Sequence, residues 1–212
     1  MSSKFSTNDR MVRASVKAYL IASHVNEDAV VVEELPAHRG AVRLDLAVVN
    51  GRLSGIEIKS DCDHLGRLGR QAELFSLAAD RMTLVVGESH RDAAMAMIPD
   101  WWAITLATLR DDGCVRLRTI RKGRLNRTTN PCALVHLLER EEMVALLEWH
   151  DLVKGYRTAG YAELADRIVV KLSRTQIATG VRRLIKIRAW IEKSYSRSAF
   201  GRTAVICGKP VS

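Results

Sequence analysis

Long apolar runs are missing from this chain. No segment approaches the ~18 residues that a membrane-crossing helix needs, and the richest stretch is interrupted by Pro99 and Asp100. The opening Met-Ser-Ser-Lys-Phe leads into a polar segment without the apolar centre of a signal peptide, so a cytoplasmic protein is expected. Paired cysteines are missing too. Cys62, Cys114, Cys132 and Cys207 stand far apart with no C-x-x-C, which excludes zinc-site spacing and a disulfide framework. His64 and His90 have no nucleophile in a triad pattern, and Gly66 and Gly69 fall in a helical stretch rather than a phosphate-cradling loop. There is no internal repeat and no low-complexity tract. Acids are scarce in one region. Between residues 167 and 202 ten basic residues face a single acid, Glu192.

What is present suits a folded protein of 212 residues with 47% hydrophobic content, as one domain or one domain with an appendage. The net charge of +9 favours a polyanionic partner. Apolar spacing predicts a helix over 8–25, a strand over 29–35 ending at Pro36, and a hairpin over 43–59. A helix capped by Asp63 and reaching residue 79 should follow, then an apolar strand over 82–87 and a helix over 90–97. A second hairpin is expected around Asp111-Asp112-Gly113. Beyond a polar linker over 121–130, helices are predicted over 131–152, 161–171 and 174–195. Two domains result, 1–125 and 131–212.

The first hairpin carries the chemistry. Arg43-Leu44-Asp45-Leu46-Ala47-Val48-Val49 and Leu53-Ser54-Gly55-Ile56-Glu57-Ile58-Lys59 flank Asn50-Gly51, a strong hairpin signal. A three-residue loop, Asn50 to Arg52, sets Val49 opposite Leu53 and Asp45 opposite Glu57. It also places Leu44, Leu46, Val48, Ile56 and Ile58 on one face and the charged residues on the other. Two carboxylates and an ammonium among buried strands are costly unless something binds between them, and a divalent cation would remove that cost.

These residues resemble the PD-(D/E)XK nuclease superfamily, with Asp45 and Glu57-Ile58-Lys59 in the place of its acid, hairpin and acid-x-Lys, although Leu44 stands where the proline would be. Further features resemble a bacterial branch of small nucleases: Glu34-Leu35, Ser60-Asp61, Arg67-Leu68 with Gln71, and Ile98-Pro99-Asp100-Trp101-Trp102. The resemblance implies an α/β, restriction-endonuclease-like α-β-β-β-α-β core with a C-terminal helical appendage. It also implies a hydrolase, a Mg²⁺- or Mn²⁺-dependent phosphodiesterase acting on nucleic acid, DNA above all. Asp45, Glu57 and Glu34 would hold the metal, Lys59 would orient water or stabilise the phosphate, and Arg67 and Gln71 would contact substrate. Phe75 stands where some relatives of that superfamily carry tyrosine, so no hydroxyl acts there. Mg²⁺ held by one to three carboxylates can activate water and polarise a phosphoryl oxygen.

Two alternatives stand beside the nuclease: a non-catalytic nucleic-acid-binding module of nuclease fold, and a regulatory or structural protein of a mobile element. The basic helices beyond residue 160 are expected to make non-specific phosphate contacts, against a helix-turn-helix reader or a packed cap. Trp101 and Trp102 should pack a strand end, and the sequence leaves a homodimer open.

Overall fold

A left-handed kink at Glu34 shapes the fold around the site, because it turns one strand face over in mid-course. The computed structural model describes residues 6–25 and 28–199, with side chains to residue 192. Strands β1 (Val30–Ala37), β2 (Val42–Val49), β3 (Leu53–Lys59), β4 (Arg81–Gly87), β5 (Ala103–Leu109) and β6 (Val115–Arg121) form one sheet in that spatial order. β3, β4 and β5 run parallel, and the remaining pairs are antiparallel. The parallel connections are made by α2 (Leu68–Ala78) and α3 (Arg91–Met97), and α1 (Asp9–Ser23) precedes the sheet. The architecture is therefore mixed α/β. No helix among the described residues is long and apolar enough to cross a membrane.

The hairpin loop has the three-residue form: Val49 pairs with Leu53 and Leu46 with Ile56, and Gly51 takes φ +98° at the turn. The two sheet faces bury separate clusters. One holds Leu46, Val48, Ile56 and Ile58 under Val12 and Val16 of α1. The other holds Leu44, Ala47, Val49 and Leu53 with Leu68 and Phe75 of α2. Leu44 thus lies on the face opposite Leu46, contrary to the alternation expected from sequence. The pairing of β1 with β2 skips Glu34, whose φ is +54°, and Asp45. Alternation restarts with opposite parity beyond that point.

The C-terminal helices are α4 (Pro131–Val135), α5 (Arg140–Glu148), α6 (Tyr161–Lys171) and α7 (Arg174–Ala199). The single helix expected over 131–152 is two, because Glu139 and Glu142 form a reciprocal capping box that starts α5 afresh. Leu134, Leu146, Ile168, Val181 and Ile185 belong to the same buried cluster as Phe75 and Trp102 of the sheet region. Trp102 is fully buried and donates its indole N–H to Ser76 Oγ at 3.1 Å, so this tryptophan packs rather than stacks on a partner. β1 continues through Pro36 to Ala37, which an edge strand tolerates.

Candidate functional site

At the open end of the hairpin, β2 peels away from β3 beyond Leu46. The Asp45 carboxylate takes over from the ladder: its Oδ2 accepts the Ile58 N–H at 2.7 Å. Burial pushes the Asp45 carboxyl up, against the opposing pull of that N–H and of Arg13. On β3, Ile56 and Ile58 face α1, which turns Glu57 toward α2. Glu57 is 1% exposed and Lys59 is 7% exposed. The Lys59 ammonium donates to Glu57 Oε1 at 2.7 Å. Burial, and then the nearby Asp45 charge, raise the Glu57 carboxyl to about 7, with Lys59 and the neighbouring Gln71 side chain opposing. Glu57 Oε2 is buried without a hydrogen-bond partner, and so is Gln71 Oε1 on α2.

Glu34, Asp45, Glu57, Lys59, Arg67 and Gln71 all line one cavity of about 730 Å³. The structure brings these six together. It also adds three residues that sequence reasoning missed: Arg13, Arg43 and Arg70.

Arg13 organises the acids. Its guanidinium donates to Glu34 Oε1 at 2.6 Å, to Asp45 Oδ1 at 2.8 Å, to the Asp45 carbonyl at 3.2 Å and to both Asp9 oxygens at 3.2 Å. Burial works against its charge, but Asp9 and Asp45 outweigh that and raise its pKa. Arg43 takes the other Glu34 oxygen. The left-handed Glu34 backbone accompanies this placement between two arginines. Only the Asp9–Arg13 spacing of four on a helix was visible in the sequence as a signal.

A Mg²⁺ ion needs open carboxylate oxygens. Both oxygens of Asp45 and both of Glu34 are engaged by N–H donors, and Glu57 keeps only Oε2 free. No group of three or more His, Cys, Asp or Glu among the described residues could hold a metal. The arrangement does not fit the metal expected from sequence, because Arg13 already supplies the positive charge between the acids. Nor do the neighbouring acids extend the cluster. Asp61 accepts from Thr7 and Ser89, and these bonds outweigh burial and hold its carboxyl at about 2. Asp63, expected as a helix cap, instead closes a turn by accepting the Ser60 N–H and Oγ–H.

The other expected contacts divide sharply. Arg67 and Arg70 are exposed at the cavity mouth without an acidic partner among the described residues. Most of the described basic side chains of the C-terminal helices are engaged within the protein. Arg182 pairs with Asp80, Lys186 with Asp28 and Arg188 with Glu142. Arg167 lies over the Tyr156 ring, Arg183 lies over Trp149, and Arg174 donates to Thr129 and to the Arg127 carbonyl. Of the ten, Lys171 is left exposed, while the side chains of Lys193 and Arg197, and Arg202 entirely, lie outside the described residues.

The sequence model of the bacteriophage P4 protein cII family matches residues 3–200. Protein cII of Enterobacteria phage P4 is 25% identical over 181 residues, covering 85% of this chain and 67% of its own length. No solved structure matches. The chain belongs to the bacteriophage P4 protein cII family. The resemblance to the PD-(D/E)XK superfamily is thereby corrected, and with it the identification as a metal-dependent nuclease, a hydrolase acting on phosphodiester bonds. A match along almost the whole chain outweighs an acid-x-Lys tripeptide and a few short features, which recur by chance in unrelated sequences.

Proposed function

We propose that this member of the bacteriophage P4 protein cII family is a regulatory protein of a mobile element that binds nucleic acid, DNA above all, without turnover. It would act in the host cytoplasm. One observation carries the reading: Arg67 and Arg70 stand unpaired at the mouth of a cavity in which Glu34, Asp45 and Glu57 are already paired with Arg13, Arg43 and Lys59. Free guanidinium groups at a concave surface suit phosphate oxygens, which they grip in bidentate fashion. Lys59 in the wall and the net charge of +9 add to the attraction. The phage origin of the family supports a regulatory role. We also propose a restriction-endonuclease-like arrangement for the core, supported by the order α1-β1-β2-β3-α2-β4 within one mixed sheet. In this protein that scaffold would serve binding alone.

The test is fluorescence anisotropy with labelled duplex and single-stranded DNA, in EDTA, across a salt series. Binding should weaken linearly in log–log form as salt rises. The double substitution Arg67→Ala with Arg70→Ala should reduce the slope by about 1.8 on duplex, at ~0.9 per lost phosphate contact. Absence of binding at low salt, or a slope untouched by the double substitution, would overturn the reading.

A further inference from the structure

Two acceptors in the cavity lack donors, and both lie on the wall behind the mouth arginines. Glu57 Oε2 is on a side chain 1% exposed, and its sister oxygen is already held by Lys59. Gln71 Oε1 is buried on the facing helix, one turn beyond Arg67 and next to Arg70. A buried acceptor without a donor is costly, so a ligand that brings N–H groups is favoured there over one that brings only oxygens. A divalent cation is the weaker occupant, because the oxygens of Asp45 and Glu34 that would complete its shell are taken.

We infer that this cavity takes an unpaired nucleobase bearing an exocyclic amino group, with its N–H donors on Glu57 and Gln71 and its flanking phosphates on Arg67 and Arg70. The inference rests on the nucleic-acid-binding reading above and deepens it to a base preference. The amino groups of cytosine and adenine, and the N1–H and amino edge of guanine, all point donors outward. Thymine and uracil instead set carbonyl oxygens on either side of a single N–H, bringing acceptors against acceptors. In a duplex these edges are paired, and extruding a base is costly, so single-stranded segments are the preferred ligand. A volume of about 730 Å³ is in the range of pockets that enclose a nucleotide-sized ligand.

The comparison that isolates the edge is oligo(dC) against oligo(dT). The two are pyrimidines of the same backbone and differ chiefly in the groups offered to Glu57 and Gln71. With labelled 12-mers at pH 8 in EDTA and fixed salt, oligo(dC) should bind at least about tenfold more tightly than oligo(dT). Gln71→Leu, which leaves the Glu57–Lys59 pair in place, should bring the oligo(dC) affinity down toward that of oligo(dT), and Glu57→Gln should weaken it as well. Equal affinities for the two oligomers with a normal salt slope would overturn the base pocket and leave the phosphate-binding reading standing. A preference that arises only when Mg²⁺ replaces EDTA would overturn it in favour of a cation. Absence of binding to either oligomer would remove the nucleic-acid-binding reading itself.

Discussion

The cavity mouth and the C-terminal helices are both rich in arginine, yet they use it in opposite ways. Arg67 and Arg70 project without acidic partners, whereas Arg182 and Arg188 are bound to Asp80 and Glu142 within the fold. The second pair of arginines sits where the basic excess of the sequence is greatest, and it is mostly consumed there. Arg182 meets an Asp80 that also accepts the Leu53 N–H at 2.7 Å, so one ion pair fastens α7 to the base of the β3 strand. Most of the described basic side chains in that dense region are thus engaged within the fold. The surface open to a polyanion is marked by two isolated residues in a nearly neutral stretch.

Removing a structural arginine is the strongest way to break this contrast. Arg188→Ala or Arg182→Ala leaves a half-buried carboxylate uncompensated and should destabilise the fold by about 3 kcal/mol in urea unfolding. A loss of under ~0.5 kcal/mol would mean that these arginines are as free as those at the cavity mouth. Arg13→Ala comes next, at about 2 kcal/mol, because it strands Asp45 and Glu34 beside one another. Millimolar Mg²⁺ should raise the melting temperature of that variant and leave the wild type within about 1 °C, since only the variant frees Asp45 and Glu34 oxygens to join Glu57 Oε2. Equal responses in both would show that Arg13 does not stand in for a cation.

The third effect depends on pH. Glu57 holds its proton up to about 7 in the fold, against an ordinary value of 4.5, so the native state binds the extra proton between those values. Stability should therefore fall as pH rises through that window and level off above it, by an amount on the order of 3 kcal/mol. Glu57→Gln should flatten this dependence in unfolding curves recorded from pH 4.5 to 8, and a slope equal to the wild type would place the raised carboxyl elsewhere. The smallest effect is expected at the mouth. Arg67→Ala and Arg70→Ala together should change unfolding stability by less than about 0.5 kcal/mol, as substitutions at exposed, unpartnered positions do. A larger loss would reveal contacts that make these arginines structural too.

Much of the hairpin was legible in sequence because local rules govern it. Asn50-Gly51 and the alternation of Leu46, Val48, Ile56 and Ile58 were sufficient for the loop length and the register. The face of Leu44 was not legible, since alternation changes parity across Asp45, beside the left-handed Glu34, and no turn residue announces it. The counter-ion role of Arg13 was hidden for a different reason: its partners Glu34 and Asp45 lie 21 and 32 residues away. The same holds for the C-terminal bases, whose partners lie as far as 102 and 158 residues off in Arg182–Asp80 and Lys186–Asp28. The family assignment failed at the scale of short motifs, where Asp45 and Glu57-Ile58-Lys59 match a pattern that the chain as a whole does not follow.

The Lys186–Asp28 and Arg182–Asp80 contacts also bear on the order of events during synthesis. α7 packs against β1 and β2, so strands made early are completed by a helix made much later. On the ribosome the sheet must wait, with Val181, Leu184 and Ile185 still untranslated, while its face toward α4–α7 stays uncovered. Such a nascent chain invites chaperone capture and proteolysis until translation has passed α7. A messenger cut short or frameshifted after residue 155 would thus yield a chain destined for degradation. Dependence on α7 makes abundance sensitive to whether the message is read through that helix.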